Sequence, residues 1–174
     1  MMRGGSFGSV GGGDLKTSRH DIDFFSWTQE QAALLRAFPD GFELLDIENL
    51  ADEIEGMGQA EIHRISSLLY QVLTGLIKIA VAPAGEGVRR QYEEIIGYQT
   101  EAIIKTPPGL EKHLDLPKVW KVAANGATRA LERAGVDIPV LPEACPLTLD
   151  ELLEPEFNPN VAAKKLAAAI SSSV

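Results

Sequence analysis

The sequence predicts an all-α fold: a single-domain bundle of four to five main helices around a long central helix. Three observations predict it. Apolar residues recur every three or four positions over most of the chain. Proline and glycine clusters such as Pro39-Asp-Gly41, Pro83-Ala-Gly85 and Pro107-Pro108 separate the periodic segments. Strand-type alternation extends no further than Val136 to Val140.

The first helix is expected over about Asp23 to Ala37. Phe24, Trp27, Gln31, Leu34, Leu35 and Phe38 follow its period, and Asp23 can cap it by accepting a backbone N–H. A second, short helix is expected over about Asp46 to Gly56, with Asp46 as its cap and Ile47, Leu50, Ala51 and Ile54 as its apolar stripe. Gly56-Met-Gly58 then reads as a turn that folds it antiparallel to a third helix, about Gln59 to Ala82. Ile62, Ile65, Leu69, Val72, Leu76 and Ile79 mark the inner face of that third helix. Leu68, Leu73, Ile77 and Ala80 widen it, as suits a central helix touched on several sides.

A fourth helix, about Val88 to Lys105, points Val88, Tyr92, Ile95, Ile96, Ala102 and Ile103 inward. The fifth, about Pro117 to Ala134, buries Trp120, Ala123, Ala124, Ala127, Ala130 and Leu131, with Gly135 as its C-terminal cap. Its small residues invite a close neighbour. Thr148-Leu-Asp-Glu151 is a capping box opening one short helix, and Asn160 is the expected cap of a last, Ala-rich one. Residues 1–20 read as a flexible Gly/Ser-rich leader, 21–160 as the helical domain and 161–174 as a tail.

Composition narrows the function classes. The chain has 174 residues, a formal net charge of −9 and one cysteine, Cys145. A single cysteine excludes an internal disulfide and fits a reducing cytosol, so a cytoplasmic protein is expected. A pI near 4.8 argues against nucleic acid bound through phosphate contacts. No uninterrupted apolar run approaches about 18 residues, so no membrane span is expected. The charge is concentrated: Pro39 to His63 holds eight acidic residues and no Lys or Arg. Clustered like charge opposes folding unless a partner, a counter-charge or solvent relieves it.

Glu48, Asp52 and Glu55 flank one side of the second helix's stripe, and Asn49 and Glu53 the other. Asp46, Asn49, Glu53, Glu55 and Lys78 are the interaction candidates. Lys78 sits inside Leu76-Ile-Lys-Ile-Ala-Val81 and needs either an outward path or a carboxylate from the first or fourth helix. Arg89-Arg90 reads as a helix-surface pair. His20, His63 and His113 lack zinc-ligand spacing, and Cys145 stands between Ala144 and Pro146 with no catalytic partners in view. The acidic residues also allow a hard-cation reading, with Asp52 and Glu55 opposed by Glu93 or Glu94 across the bundle. That arrangement resembles the all-helical nucleotide pyrophosphohydrolases, although the second half of their carboxylate motif has no counterpart here.

Asp23-Phe-Phe-Ser-Trp27 with Gln31, Leu45 to Gly58, Leu76-Ile-Lys78 and Leu141-Pro-Glu-Ala-Cys-Pro146 followed by Leu152, Leu153 and Phe157 stand in a specific order and spacing. In these pieces the chain resembles a bacterial family catalogued as domain of unknown function 29. The resemblance implies an all-helical fold and no established activity. It also implies a histidine three residues before Lys78, where Gly75 stands. The Arg-rich stretch expected in the fourth helix is reduced to Arg89-Arg90, with Tyr98-Gln-Thr100 further along. Chemistry that relatives would base on that histidine and those arginines is therefore not expected here.

The sequence thus points to a non-enzymatic interaction or regulatory protein, presenting an acidic helical face to a protein partner or to its own copy, with no cofactor. An antitoxin-type regulator would fit the same acidity. The alternative is a magnesium-dependent hydrolase of phosphorylated small molecules built on Asp52, Glu55, Glu93 and Glu94.

Overall fold

A computed structural model describes residues 19–37, 45–83 and 87–171. Residues 1–18 of the expected leader, the Pro39-Asp-Gly41 stop, Glu43 and the loop after Pro83 lie outside them, while Arg19 and His20, expected in the leader, are helical. Among the described residues seven α-helices run in order: α1 (Arg19–Ile22), α2 (Phe24–Arg36), α3 (Ile47–Val81), α4 (Val88–Lys105), α5 (Leu116–Arg133), α6 (Leu149–Leu152) and α7 (Pro159–Ser171). A 3₁₀ turn, Leu110–His113, joins α4 to α5, and no strand occurs among the described residues.

The main correction concerns α3. No turn forms at Gly56-Met-Gly58; one helix of 35 residues runs through both glycines, about 52 Å long at the standard rise. Gly58 is buried, and a Cβ there would overlap Thr28 Oγ1 and stand 3.1 Å from Phe25 Cδ2. It is a site of close approach between α2 and α3, not a helix stop. The packing gained by α2 outweighs the roughly 1 kcal/mol that a helical glycine costs. Asp46 caps the whole helix, its carboxylate accepting from Asn49 N–H at 3.3 Å.

The core is organised on the second half of α3. Ile65, Leu69, Val72, Leu73, Leu76 and Ile77 are fully buried, and α4, α5 and α7 all pack on this half. An 18-residue stretch of α3 has a mean hydropathy of 1.3, enough by length and composition to cross a membrane, but 56% of it is buried inside the bundle. Its apolar character is that of a core helix. Gly75 lets α4 close in: a Cβ there would be 2.7 Å from Ile95 Cγ1. Gly126 does the same for α5, where a Cβ would be 2.5 Å from the Tyr70 hydroxyl.

Capping sets most helix ends as the sequence indicates. Asp23 accepts from Ser26 N–H at 3.0 Å, Asp115 from Lys118 N–H at 3.0 Å, and Thr148 and Glu151 close a reciprocal capping box. The cap of α7 is Asn158 rather than Asn160; its side-chain oxygen accepts from the backbone N–H groups of Asn160 and Val161. α7, the expected Ala-rich last helix, packs on the core. Ala162, Ala163, Leu166 and Ile170 are buried against the core, so a boundary at residue 160 cuts through an integral helix. On α4, Ile96 is exposed, and the buried position is Gln99, which donates to the carbonyls of Leu152 (3.3 Å) and Glu154 (2.8 Å). Trp120 Nε1 donates to Pro142 O at 3.0 Å. These three bonds fasten the proline-rich segment, which has little helix of its own, to the bundle.

Candidate functional site

The first half of α3 extends past the part that α4 and α5 cover. The C-terminal end of α4 meets α3 at Arg64, whose guanidinium donates to the Lys105 carbonyl at 2.5 Å. Before that point α2 is the described helix lying along it. Arg36 near the end of α2 gathers one acidic flank: Nη2 meets Asp52 Oδ1 at 2.5 Å, Nη1 meets Glu55 Oε2 at 2.8 Å, and Nε meets Glu48 Oε1 at 3.4 Å. These three carboxylates are four and three residues apart, so they share one helix face. Hydrogen bonds to Asp52 and then Glu55 hold the Arg36 guanidinium more firmly protonated than usual.

The other flank is arranged differently. Asn49 Nδ2 donates to Asp46 Oδ2 at 2.5 Å, so these two candidates serve the helix cap. Glu53 is exposed, and no described cation lies within ion-pair distance of it. Between Glu53 and the α2 side runs an open apolar stripe, with Leu50 43% and Met57 52% exposed and Ile54 half-buried. Leu34 and Leu45 are also exposed. Leu50 and Met57 are seven residues apart and therefore fall on one line of the helix.

Lys78 is separated from the other four candidates. It lies in the last turn of α3, half-buried, where a cation complements the helix C-terminus. The carboxylate expected from the first or fourth helix is not found: among the described residues, none forms an ion pair with Lys78. The expected cation site does not assemble either. Asp52 and Glu55 face Arg36, whereas Glu93 and Glu94 pair with Arg89 (3.2 Å) and Arg90 (3.0 Å) on α4. α4 runs back along the far half of α3, with Ile95 against Gly75. The two pairs are thus some 20 residues apart along α3, roughly 30 Å. Among the described residues no group of three His, Cys, Asp or Glu side chains is placed to hold a metal.

The structure also forms a cleft that spacing alone could not indicate. It has a volume of about 440 Å³ and lies between the middle of α3 and the start of α5, with His63 and His113 both on its wall. His113 comes from the 3₁₀ turn. Its Nε2 lies 3.2 and 3.3 Å from the two Asp23 carboxylate oxygens, and its ring packs on Phe25 at 4.4 Å. Asp23 therefore has two roles, capping α2 and fixing the His113 ring. Burial pushes the Asp23 carboxyl up, but the Ser26 N–H, His113 and the Ser26 hydroxyl together outweigh it, and the carboxyl sits below its usual range. The loop is held by Phe24 N–H donating to Pro108 O at 3.1 Å and by Gly109 at φ 76°, where a Cβ would be 2.5 Å from Ile22 O. The two histidines are 50 positions apart in sequence, so no motif links them. The one local signal was Asp23, read only as a cap.

A family model described as "Domain of unknown function DUF29" matches residues 20–158. No curated protein matches the chain. Among solved structures, the chain is similar to an alpha-helical protein of unknown function from Rhodospirillum rubrum. The TM-score is 0.77 at 28% identity, covering 86% of this chain and 98% of that one. The family match runs through the bundle that carries the acidic half of α3 and the cleft. The chain belongs to the DUF29 family of domains of unknown function.

Proposed function

We propose that this protein is a non-enzymatic interaction protein whose docking surface is the first half of α3, and that its partner offers a basic amphipathic helix. The observation that carries this reading is the exposed Leu50–Met57 stripe beside carboxylates that Arg36 does not neutralise. Exposed apolar residues in line on an otherwise polar helix are the usual mark of a helix-in-groove contact. Charge selects the partner. From Asp46 to Glu55 the helix carries five carboxylates and no cation. A second copy docking through the same stripe would set acidic rim against acidic rim, whereas a basic helix would relieve the repulsion and bury Leu50 and Met57.

The test is site-specific photo-crosslinking in cells of the source organism. A photoreactive residue replaces Leu50 or Met57, and a control replaces Val140, which is exposed elsewhere. The reading expects one protein with a basic helix to crosslink at both stripe positions and not at the control. Glu53→Lys should weaken that crosslink, and added salt should weaken it further. Equal labelling at all three positions, or a self-crosslinked dimer alone, would overturn it.

A further inference from the structure

We propose that the cleft between α3 and α5 binds a small amphipathic organic acid. Its carboxylate would meet Lys118 and His63, and its apolar body would lie on Ile62, Val119 and Val122. This site is distinct from the docking surface on the first half of α3, and neither reading depends on the other.

The cleft has the make-up of a small-molecule site. About 440 Å³ falls within the usual range for such sites, and its wall sets an aliphatic strip of Ile62, Val119 and Val122 beside polar side chains. Lys118 is exposed, and among the described residues its ammonium has no carboxylate within 4 Å. The His63 ring likewise has no hydrogen-bond partner among the described side chains, although it stands on the same wall. His113 stands on the same wall with its Nε2 taken by Asp23 and its ring flanked by Phe25, so it shapes the cleft without adding a free donor. Unused donors on one side and an aliphatic strip on the other are complementary to a molecule with one charged end.

The charge count narrows the head group. Asp115 also lines the cleft, and one of its oxygens is engaged by Lys118 N–H at 3.0 Å as the α5 cap. One lysine near that carboxylate suits a singly charged carboxylate better than a phosphate dianion. On the apolar side, Val122 is 52% exposed on α5 and gives up its water contact only when something lies across it.

The experiment uses the full chain with three probes: octanoate, 1-octanol and inorganic phosphate. Binding is followed by calorimetry, and the place of binding by amide chemical-shift changes. The expected result is saturable octanoate binding at one site per chain, with shifts at Ile62, Val119 and Val122. Lys118→Met should weaken it about tenfold or more, the usual loss for a hydrogen bond to a charged group. Val122→Asp should abolish it while the thermal melt remains cooperative. Lys121→Met, on the same helix but off this wall, should bind as the parent does. The proposal is overturned if octanoate does not bind the parent chain, if 1-octanol binds as tightly, if phosphate displaces octanoate at equal concentration, or if Lys118→Met has no effect.

Discussion

Gly56→Ala and Gly58→Ala should change stability in opposite directions, although the two glycines lie two residues apart in one helix. At Gly56 an added Cβ meets nothing within 4 Å, and the residue is exposed. Alanine there should add about 0.5–1 kcal/mol, the ordinary difference between the two residues in a helix interior. At Gly58 the same gain is available, but the methyl overlaps Thr28 Oγ1 and crowds Phe25 Cδ2 at 3.1 Å. Thr28 is fully buried and its hydroxyl donates to Phe25 O at 2.8 Å, so it cannot swing aside without losing that bond. Overpacking a tight contact costs roughly 1–3 kcal/mol. The net effect at Gly58 is then a loss of about 1 kcal/mol. For a chain of this length that is a fall in Tm of about 2–4 °C, against a rise of similar size for Gly56→Ala. Urea unfolding followed by circular dichroism measures both, with an unchanged slope showing that the native state is still compact. Thr28→Ala in the Gly58→Ala background removes the overlapping hydroxyl and should recover part of the loss, a coupling that distant sites would not show. If Gly58→Ala stabilised the protein as much as Gly56→Ala, α2 and α3 would not approach closely at that point, and the account of Gly58 as a packing contact would fail.

Arg36→Met should lower the melting temperature, because it leaves Glu48, Asp52 and Glu55 together on one face. Melts in low and high salt check this: the deficit should shrink as salt screens the freed carboxylates. Asp23→Ala should cost about 1 kcal/mol at neutral pH through the lost α2 cap. Because the folded Asp23 carboxyl titrates below its usual range, its contribution is fully present above the unfolded pKa of about 4 and is lost as pH falls through the folded value. Urea curves from neutral to acid pH should therefore show parent and variant converging below about pH 4, and a constant gap would refute the assignment. Burial pushes the Cys145 thiol up, so a thiol-specific reagent at mildly alkaline pH should label the native chain more slowly than the urea-unfolded one.

The match between the Val88–Lys105 expectation and α4 shows what spacing can deliver. Its end is set by Pro107-Pro108, a local fact of chemistry. The same local chemistry misled at Gly58, because propensity is a preference of about 1 kcal/mol and a buried helix contact exceeds it. Gln99 stands in the helix where the family resemblance implies an Arg-rich stretch, yet it fastens the segment around Leu152 and Glu154, more than 50 residues later. The two flanks of acidic residues were legible from helix angles alone. That Arg36 would neutralise only one of them was not, since this depends on where α2 comes to lie.

The helical class, most caps and the location of the charge can be read from residue spacing, because each of these depends on neighbours within about a turn. The unbroken course of α3, the exposed apolar stripe on its acidic half and the cleft shared by His63 and His113 come instead from how the helices pack. Those features arise where side chains distant in sequence compete for the same space. Asp23 joins the two levels: its cap can be read within four residues, while its hold on His113 spans 90 positions and exists only once the bundle has closed.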